Sequence, residues 1–341
     1  MKKNVAIFGP SGYTGTQLLS LLINHPYVNI SGVFGNRSEG KFLSEFISIP
    51  QENDIKILSP KVFKKKNIDL VFLCLPHKKS FDLLKHLEDL KIIDLSSDYR
   101  FYSSSAYKKW YDHYHPHPKV LKKFVYGLTE LNRHKIKKAK YVANPGCYPT
   151  SVLIPILPLF KEKVFFPKNI IIDSKSGVSG AGRGVTIEKL FFEVNENFKS
   201  YNVEKHRHLG EIQQEIFLYK KKINISFVPH LLPLSRGILS TIYFDGDSVV
   251  FKKLKQFYKK FFKNEKFINF FSKDIPSLKS VNGTNNLNFS IHQDYDKKKI
   301  IIISCIDNLI KGAAGQALQN MNLMFDFKDT EGLNIYQLAP K

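Results

Sequence analysis

One stretch of the chain combines a cysteine with features that would make its thiol reactive: Ala143-Asn144-Pro145-Gly146-Cys147-Tyr148-Pro149-Thr150. Pro145-Gly146 predicts a turn, and Pro149 suits the first turn of a helix, where its missing N–H costs nothing. A helix that begins at Cys147 would place the thiol beside free backbone N–H groups and the positive end of the helix dipole, which favour the thiolate. The stretch therefore predicts a nucleophilic cysteine at a helix N-terminus.

Two histidines further along the chain could serve this nucleophile. His206 and His208 flank Arg207, just before a helix predicted over Ile212 to Tyr219. Because the local conformation is open at this point, we expect at most one of the two rings to face the thiol. A histidine within reach of Cys147 would act as general acid and base. A zinc site is an alternative, but the sequence offers no third ligand for it.

The N-terminus contains the elements of a dinucleotide-binding unit. Val5 to Phe8 is an apolar run typical of a strand buried on both faces. Thr16 to Ile23 predicts a helix, and between them lies the turn Gly9-Pro10-Ser11-Gly12-Tyr13-Thr14-Gly15. Glycines here would let the backbone approach a pyrophosphate at the helix N-terminus. The spacing is G-x-x-G-x-x-G instead of the commoner G-x-G-x-x-G, so a tight turn without a ligand is the alternative.

The second predicted strand, Val28 to Phe34, leads into a basic loop. An acidic residue at the end of this strand would bind a ribose 2′-hydroxyl, whereas Arg37, Ser38 and Lys41 suit a 2′-phosphate. The loop therefore favours NADP over NAD. A solvated polar loop is the alternative, because Glu39 lies in it as well.

A buried strand that runs into a turn is predicted over Ile68 to His77, and a further strand over Lys91 to Leu95. Leu75 and Pro76 fall where a cofactor would pass over the carboxyl edge of the sheet. Arg100 emerges at the same edge, where it would bind an anion or form an ordinary surface ion pair. Strands that alternate with helices predict an α/β fold with a Rossmann-type domain.

The second half of the chain opens with a predicted strand, Asn169 to Ser174, and a glycine-rich loop, Lys175 to Gly184. Such a loop brings backbone close to a ligand, and Arg183 could grip a carboxylate or phosphate. A flexible linker is the alternative. A strand is predicted through Phe244, a basic helix over Ser248 to Phe271, a strand over Lys299 to Ile306, and a long helix from Asp307 to Met324 that returns to the first domain.

The histidines, the cysteines and the hydropathy of the sequence argue against several kinds of site and segment. His113, His115 and His117 could chelate a metal, but nearby prolines and the absence of a partner Cys or carboxylate pattern favour a polar loop, so we expect no metal. Three widely spaced cysteines predict neither a disulfide framework nor a zinc motif, which indicates a cytoplasmic protein. We also expect no membrane span and no signal peptide.

The net charge of +22 raises the possibility of nucleic-acid binding. However, only six of the 52 basic residues are arginines, and the lysines are scattered among Asn, Ile and Phe. Recognition surfaces use clustered arginines to grip phosphate or guanine bidentately. We therefore expect no nucleic-acid partner, and expect the charge to steer anionic small substrates towards the protein.

Together these motifs resemble the N-acetyl-γ-glutamyl-phosphate reductase family, NADP-dependent enzymes of arginine biosynthesis related to aspartate-semialdehyde dehydrogenase. The resemblance covers nearly the whole chain. It is carried by GPSGYTG (9–15), LPH (75–77), DLSSDYR (94–100), NPGCYPT (144–150), SGVSGAGR (176–183), HRH (206–208), PHL (229–231) and KGAAGQA (311–317). One departure is Gly210, where the family usually has Pro before Glu-Ile.

The resemblance implies that Cys147 attacks the γ-acyl phosphate, releases inorganic phosphate and is reduced by NADPH as a thioacyl-enzyme. It implies His208 as the acid/base, with His206 as the alternative. The candidates for substrate binding are Arg100, Ser179 and Arg183. The candidates for cofactor binding are Gly9, Ser11, Gly12, Tyr13, Thr14, Gly15, Arg37, Ser38, Leu75, Pro76, Ser176, Gly177 and Asn308.

The family also implies an architecture. A Rossmann-type NADP-binding domain would comprise residues 1–146 and the C-terminal helix 310–341. Residues 147–309 would form an α+β catalytic and oligomerisation domain of the semialdehyde dehydrogenase and glyceraldehyde-3-phosphate dehydrogenase type, building a dimer or tetramer. The rival interpretations are a dehydrogenase acting on aspartyl phosphate, a basic nucleic-acid-binding protein and a catalytically silent cofactor sensor.

Overall fold

The computed structural model describes residues 1–49, 54–184, 186–187 and 190–333. These residues form two compact units, Met1–Pro145 with Ala313–Leu333, and Gly146–Gly312. Relative to the predicted domains, Gly146 and residues 310–312 fall in the second unit instead of the first. Residues 334–341 of the predicted first domain lie outside the described part of the chain.

The first unit is built on six parallel strands: β1 (Lys3–Phe8), β2 (Val28–Phe34), β3 (Leu70–Leu73), β4 (Lys91–Asp94), β5 (Phe124–Tyr126) and β6 (Tyr141–Ala143). They pair in the order β2-β1-β3-β4-β6-β5. All four residues of β3 are buried, as in a strand covered on both faces. The strand order reverses beside β1, and in such folds ligands bind at the carboxyl end of the strands at this point.

Among the described residues before the second unit, the α-helices are α1 (Tyr13–Leu22), α2 (Phe81–Lys85), α3 (Ser104–Tyr111), α4 (Pro118–Leu121) and α5 (Thr129–Lys137). The predicted strand at Val28–Phe34 is confirmed. The strand predicted within Ile68 to His77 is confirmed as β3, which ends at Leu73, and the predicted turn follows it, with Lys78 in a left-handed conformation (φ 70°).

The loop predicted at His113, His115 and His117 is confirmed, since residues 112–117 lie between two helices, but it is not polar throughout. Residues up to Tyr111 are helical, since Ser103 caps α3 by accepting a hydrogen bond from the Ala106 N–H at 3.1 Å. Beyond the helix, His115 is only 3% exposed and packs against the rings of Phe81, Tyr99 and Tyr107, at centroid distances of 4.7, 5.2 and 5.0 Å. Burial lowers the pKa of His115 to about 4. This histidine is therefore a neutral member of an aromatic cluster.

The second unit contains a mixed sheet of seven strands: β7 (Asn169–Gly177), β8 (Lys199–Ser200), β9 (Asn224–Leu232), β10 (Ile238–Asp245), β11 (Ile268–Phe271), β12 (Leu287–Gln293) and β13 (Lys299–Ile306). Their order is β11-β12-β13-β10-β7-β9-β8. Burial alternates along β7 and β10, so one face of the sheet is covered.

The helices of this unit are α6 (Cys147–Lys161), α7 (Phe191–Val194), α8 (Arg207–Phe217) and α9 (Ser248–Phe261). Helix α6 packs against β10, β13 and α8. It is buried from Tyr148 to Phe160, which explains its largely apolar sequence. A helix that is apolar on all sides must lie inside a protein.

Three predictions for this unit were wrong in their bounds. Strand β7 runs on to Gly177 and takes up part of the expected glycine-rich loop. Helix α9 ends at Phe261, and the remainder of the predicted helix contains strand β11, which pairs with β12. Helix α8 begins at Arg207, five residues earlier than predicted, because His206 caps it.

The C-terminal helix starts as a π-helical turn, Ile310–Ala314, and continues as α10 (Gly315–Met324). Helix α10 belongs to the first unit and packs against α1 and α5 there. The Thr129 hydroxyl donates to Asn320 Oδ1 at 2.8 Å, and Arg133 pairs with Asp329 at 2.6 Å. The predicted fold class, a Rossmann-type domain with an α+β domain, is confirmed.

Candidate active site

Cys147 is the first residue of α6, so the predicted helix N-terminus is confirmed. Its N-cap is Gly146, whose backbone is extended (φ −65°, ψ 155°). The helix dipole is positive at this end, and the first N–H groups of a helix have no intrahelical acceptors. The cysteine side chain is half-buried. The site thus has the electrostatics that a thiolate nucleophile requires.

The other two cysteines differ from Cys147 in their surroundings. Cys74 follows β3, and burial, with a smaller contribution from Asp94, raises the pKa of its thiol. Cys305 is buried in β13, its Sγ lies 3.6 Å from the Pro276 carbonyl oxygen, and burial raises its pKa to about 12. Both are neutral thiols at pH 7 and lack the environment of a reactive cysteine.

His206 is the N-cap of α8. Its Nδ1 accepts a hydrogen bond from the His208 N–H at 3.1 Å. Its ring packs edge-on against Tyr148, Tyr201 and Phe227, with centroids 5.8, 5.5 and 5.4 Å away. Burial, with the nearby Arg207 charge, lowers its pKa to about 4. His206 is therefore a neutral capping residue.

His208 lies directly against the residue that precedes the nucleophile. A Cβ placed on Gly146 would be only 2.6 Å from His208 Nε2, so the ring and the Gly146 backbone are in close contact. The ring is 8% exposed and lies edge-on to Tyr148 at 5.7 Å. Of the two histidines, His208 is the one that packs at the start of α6.

Glu211 is a site residue that the sequence interpretation missed. It is fully buried, and its Oε2 accepts a hydrogen bond from the Gly146 N–H at 3.0 Å. Its Oε1 lies 3.9 Å from His208 Nε2. Residues three apart on a helix share a face, so the spacing of His208 and Glu211 was the available signal. It was lost because the helix was predicted to begin at Ile212.

Two tyrosines back the nucleophile and were also missed. The hydroxyls of Tyr148 and Tyr201 lie 3.1 Å apart, and the Tyr148 hydroxyl donates to the His230 carbonyl oxygen at 3.2 Å. Burial raises the pKa of both phenols, that of Tyr201 to about 12. They are therefore neutral hydrogen-bonding groups that fix the start of α6 to the sheet.

The glycine-rich segment begins inside β7 and ends in an exposed turn. The structure brings Ser179 together with Asn308, whose Nδ2 donates to the serine Oγ at 3.0 Å. Asn308 Oδ1 accepts from the Gly237 N–H at 2.7 Å. Ser176 is buried, and its hydroxyl donates to the Gly177 carbonyl oxygen.

Gly177 is tightly packed, and Arg183 lies at the surface. A Cβ on Gly177 would meet the Arg236 backbone N at 2.7 Å. The glycine is thus required by packing within the protein, whether or not a ligand approaches it. Arg183 follows Gly182 (φ 78°) and is exposed. Val185, Glu188 and Lys189 beyond it lie outside the described residues.

Asp307 organises the segment around Asn308 and was not foreseen. It is fully buried, and its Oδ1 accepts from Arg236 Nη2 at 2.9 Å and from the N–H groups of Leu309 and Ile310 at 2.9 and 3.1 Å. Its Oδ2 accepts from the Gly283 N–H at 2.8 Å. Asp307 therefore caps the π-helical turn and ties it to two loops.

In the first unit, the three motif glycines have different reasons to be glycine. Gly9 has a left-handed backbone (φ 83°), and a Cβ there would lie 2.3 Å from the Cys74 carbonyl oxygen. A Cβ on Gly15 would lie 2.2 Å from the Gly9 carbonyl oxygen. A Cβ on Gly12 would meet no atom of the described residues within 4 Å. Gly12 is the N-cap of α1, so it keeps space open at a helix N-terminus.

The other residues of the turn lie around this space. Ser11 and Thr14 are half-buried, and Tyr13, the first residue of α1, is 37% exposed. Because a helix N-terminus with room in front of it is an anion site, the turn fits the pyrophosphate of a dinucleotide.

The loop after β2 contains an exposed Arg37 beside Ser38, which is 2% exposed. The Ser38 hydroxyl has no hydrogen-bond partner among the described residues. A buried hydroxyl without a partner costs stability unless a ligand satisfies it. Lys41, in contrast, pairs with Glu45 at 3.0 Å and is engaged within its own loop.

The loops after β3 and β4 are tied together by Asp98, a further residue that the sequence interpretation did not single out. Burial opposes its ionisation, but hydrogen bonds from His77 Nδ1 (2.6 Å), the Lys78 N–H (3.0 Å) and Ser80 Oγ (2.5 Å) outweigh this and lower its pKa. The loop that carries Leu75 and Pro76 is thereby joined to the loop that carries Arg100.

Arg100 is 7% exposed, so the alternative of an ordinary surface ion pair is excluded. Its Nη2 donates to the Leu95 carbonyl oxygen at 3.3 Å. Nearby Asp94 is fully buried, and burial together with the Asp98 charge raises its pKa to about 7. The Arg100 charge favours ionisation of Asp94 and so opposes this rise in its pKa.

The structure gives further information on metal and membrane binding. Within residues 1–49, 54–184, 186–187 and 190–333, no group of three His, Cys, Asp or Glu side chains has the arrangement of a metal site. Over the same residues, no helix is both long and apolar enough to span a membrane.

Comparison with known families matches both units. Residues 4–139 match the family model of the semialdehyde dehydrogenase NAD-binding domain, and residues 147–308 match that of the semialdehyde dehydrogenase dimerisation domain. The structure is similar to aspartate semialdehyde dehydrogenase II from Vibrio cholerae, with a TM-score of 0.73 and 18% identity, covering 96% of this chain and 99% of the other. It is also similar to aspartate semialdehyde dehydrogenase with NADP from Candida albicans, with a TM-score of 0.69, 16% identity and coverage of 95% and 99%.

Sequence relatives are closer than these structures. The chain is 44% identical to the N-acetyl-gamma-glutamyl-phosphate reductase of Campylobacter jejuni subsp. jejuni, over 98% of this chain and 99% of the relative. It is 46% identical to that of Caldicellulosiruptor saccharolyticus, over 97% of each chain.

These matches make the chain an oxidoreductase of the class that acts on aldehydes and acyl phosphates, with an NAD(P)-binding domain and a dimerisation domain. They also confirm the resemblance that the motifs indicated. The chain belongs to the semialdehyde dehydrogenase family and, within it, groups with the N-acetyl-gamma-glutamyl-phosphate reductases.

Proposed function

We propose that the protein reduces N-acetyl-γ-glutamyl phosphate to N-acetyl-L-glutamate 5-semialdehyde with NADPH, releasing phosphate, as a step of L-arginine biosynthesis. The observation that carries this proposal is Cys147 at the N-terminus of α6 with His208 packed beside it. It occurs in a chain that matches reductases of this name over nearly its full length.

In the proposed mechanism, the Cys147 thiolate attacks the acyl carbon. The new C–S bond forms as the C–O bond to phosphate breaks, and inorganic phosphate leaves with the bonding electrons. The product is a thioester on Cys147, which splits one difficult reduction into two easier steps. NADPH, when bound, would supply the hydride that reduces this thioester, and the resulting tetrahedral alkoxide would collapse to the aldehyde and the Cys147 thiolate.

His208 is the proposed acid and base. Its ring packs against Gly146, next to the nucleophile, whereas His206 Nδ1 is used in capping α8. The lowered pKa of His206 (about 4) also keeps that ring in its neutral form at neutral pH, so it is not an imidazolium acid there. Buried Glu211 lies 3.9 Å from His208 and would stabilise the imidazolium that forms during turnover.

The proposed cofactor residues fit NADP. Gly12 leaves space at the N-terminus of α1, and Ser11, Tyr13, Thr14, Gly9 and Gly15 form the turn around it. The buried, unpaired hydroxyl of Ser38 and the exposed guanidinium of Arg37 suit a 2′-phosphate. Leu75 and Pro76 would border the cofactor at the carboxyl end of β3.

The side chains of Ser176 and Asn308, two of the remaining cofactor candidates, already have hydrogen-bond partners within the protein. The amide of Asn308 already bonds to Ser179 and Gly237, and Ser176 bonds within its own strand. Ser176, Gly177 and Asn308 are therefore proposed to shape the nicotinamide side of the site through their backbone.

For the substrate, we propose Arg100, Ser179 and Arg183. Ser179 Oγ accepts from Asn308, so its O–H proton is left to donate to a substrate oxygen. The two arginines would bind carboxylate and phosphate groups, for which a guanidinium fork is suited. The match of residues 147–308 to a dimerisation domain supports a homo-oligomer, which we propose to be a cytoplasmic dimer or tetramer.

The reaction is tested in reverse by following NADPH formation at 340 nm from N-acetyl-glutamate semialdehyde, NADP and phosphate. We expect a signal that depends on phosphate and is weaker with NAD. Activity with aspartate semialdehyde alone would assign the sister reaction instead. Absence of activity with both substrates would overturn the proposal.

A further inference from the structure

The nucleophile is in contact with a second segment of the chain, the π-helical turn that carries Gly312. A Cβ built on Gly312 would lie 2.7 Å from the Cβ and 3.2 Å from the Cα of Cys147. Carbon atoms in contact normally lie about 3.5–4.0 Å apart. The Cα belongs to the first turn of α6 and cannot rotate away, so a methyl group at position 312 would displace Cys147 itself.

The segment that carries Gly312 is held firmly. The Gly312 N–H donates to the Asp307 carbonyl oxygen at 2.9 Å, closing the π-helical turn Ile310–Ala314. The Asp307 side chain caps this turn through Leu309 and Ile310. π-Helical turns are rare and occur frequently at functional sites. The turn is therefore built to present a bare backbone to the nucleophile.

The His208 ring packs against Gly146, the residue that precedes Cys147. The Gly146 N–H is bound by Glu211 at 3.0 Å, and a Cβ on Gly146 would lie 2.6 Å from His208 Nε2. Cys147 thus follows Gly146, which leaves room for the His208 ring, and it packs against a second glycine, Gly312.

We propose that Gly312 is a positioning residue that sets the location of the Cys147 Cβ. It thereby sets how the thiolate approaches the acyl carbon. Gly146 positions the His208 ring in the same way. This inference rests on the proposed reduction of an acyl phosphate. It adds a pair of residues that touch no substrate and act only through Cys147 and His208.

The expected size of the effect follows from the geometry. Relief of a 2.7 Å contact requires the two carbons to separate by most of an ångström. A misplacement of about 1 Å in a reacting group costs about 10²-fold in rate. Gly312→Ala should therefore lower kcat about 10²-fold, with a smaller change in KM, because the residues proposed to bind the substrate are untouched.

The first control is Gly246→Ala. A Cβ at Gly246 would lie 2.7 Å from Ile300 Cγ1, the same distance, but in the turn between β10 and α9. It reproduces the local crowding without involving Cys147, so kcat per folded molecule should be unchanged. Alkylation of Cys147 by iodoacetamide in Gly312→Ala should stay within about threefold of the wild-type rate, because the thiol keeps its helix N-terminus.

A stability cycle tests the contact without an activity assay. Cys147→Gly removes the Cβ that a methyl at 312 would meet. The fall in Tm caused by Gly312→Ala should therefore be at least halved in the Cys147→Gly background. If Gly312→Ala does not fold, recovery of folded protein in the double variant supports the contact, and failure of both overturns it.

The outcomes separate this inference from the proposed function. An unchanged kcat in Gly312→Ala, or an equal fall in Tm in both backgrounds, overturns the positioning role. A wild-type protein without phosphate-dependent reductase activity overturns the proposed function, and the stability cycle then still decides whether Gly312 sets the position of Cys147.

Discussion

Helices α1 and α6 begin in the same way and differ in what lies in front of them. Each has a glycine N-cap with extended angles, Gly12 (φ −77°, ψ 158°) and Gly146 (φ −65°, ψ 155°), and each has an uncharged first turn. The space at Gly12 is open, whereas the space at Gly146 is filled by the His208 ring. The N-terminus of α1 can therefore bind an anion from solution, whereas that of α6 stabilises the thiolate of Cys147, a side chain of the protein itself.

The comparison shows that a helix dipole alone does not decide a function. The positive end of a helix favours any negative charge close to it. Open space in front of Gly12 allows a phosphate to approach the N-terminus of α1. At α6 the space at Gly146 is filled, so the helix dipole stabilises negative charge on the Cys147 side chain instead. Variants that change one helix N-terminus should accordingly leave the other intact.

The largest expected effect is that of Cys147→Ala. Loss of the nucleophile should reduce turnover by at least about 10⁴-fold, because no thioester can form. The open end of α1 is unchanged, so NADP(H) should bind with wild-type affinity, as measured by fluorescence titration. Residual turnover near the wild-type level would rule out the covalent mechanism.

The two histidines at the crowded end should differ in turnover. His208→Asn removes the proposed acid and base, so kcat should fall about 10²–10⁴-fold. His206→Asn keeps a side chain that caps helices well and should stay within about tenfold of wild type. Steady-state kinetics on both variants decide the matter. Equal losses would mean that His206 takes part in proton transfer.

His206, which packs against Tyr148 in the first turn of α6, should also make the free energy of unfolding depend on pH. Its pKa is lowered from 6.5 to about 4 by burial, so the folded protein excludes a proton that the unfolded chain binds. The neutral ring's contribution is fully present above pH 6.5 and is lost as pH falls towards 4, roughly 3 kcal/mol in total. Urea unfolding at several pH values should show this loss in the wild type. In His206→Asn this part of the acid loss should disappear, and an unchanged pH profile would contradict the assignment.

The smallest expected effect is at the open end. Gly12→Ala should fold with wild-type stability, since its methyl group meets no described atom within 4 Å. The methyl would occupy space proposed for a pyrophosphate and weaken NADP(H) binding about tenfold, roughly 1.4 kcal/mol. Gly15→Ala is the contrasting variant: its Cβ would lie 2.2 Å from the Gly9 carbonyl oxygen, so it should lose stability. Equal cofactor affinity in Gly12→Ala and wild type would show that the open space is not used.

The two helix N-termini also differ in how far the sequence predicted them. The turn at Gly9–Gly15 is local, so a strand, glycines and a helix in succession were sufficient. The start of α6 was equally readable from Pro149. The residues that complete the Cys147 site were not, because they come together only through tertiary packing: Glu211 lay outside the predicted helix, and nothing local connects Gly312 with Cys147.

The same distinction explains the wrong bounds elsewhere. Helix α8 begins at Arg207 because a histidine caps it, and histidine is not among the usual capping residues. Strand β11 followed a helix-forming basic stretch and exists because β12 lies beside it. His115 resembled a polar loop residue, and only the surrounding aromatic rings make it a core residue. Sequence patterns predicted the structure correctly where it is determined by residues close together in the sequence.

The contrast among the three thiols has a practical consequence. Burial raises the pKa of Cys74 and Cys305, whereas Cys147 lies at the N-terminus of α6, where the helix dipole favours a thiolate. An electrophile in excess should therefore label the native chain at one position. The wild-type protein then provides its own single-site attachment point: a fluorophore or mass tag on Cys147 would count intact active sites in a preparation without any engineered cysteine background.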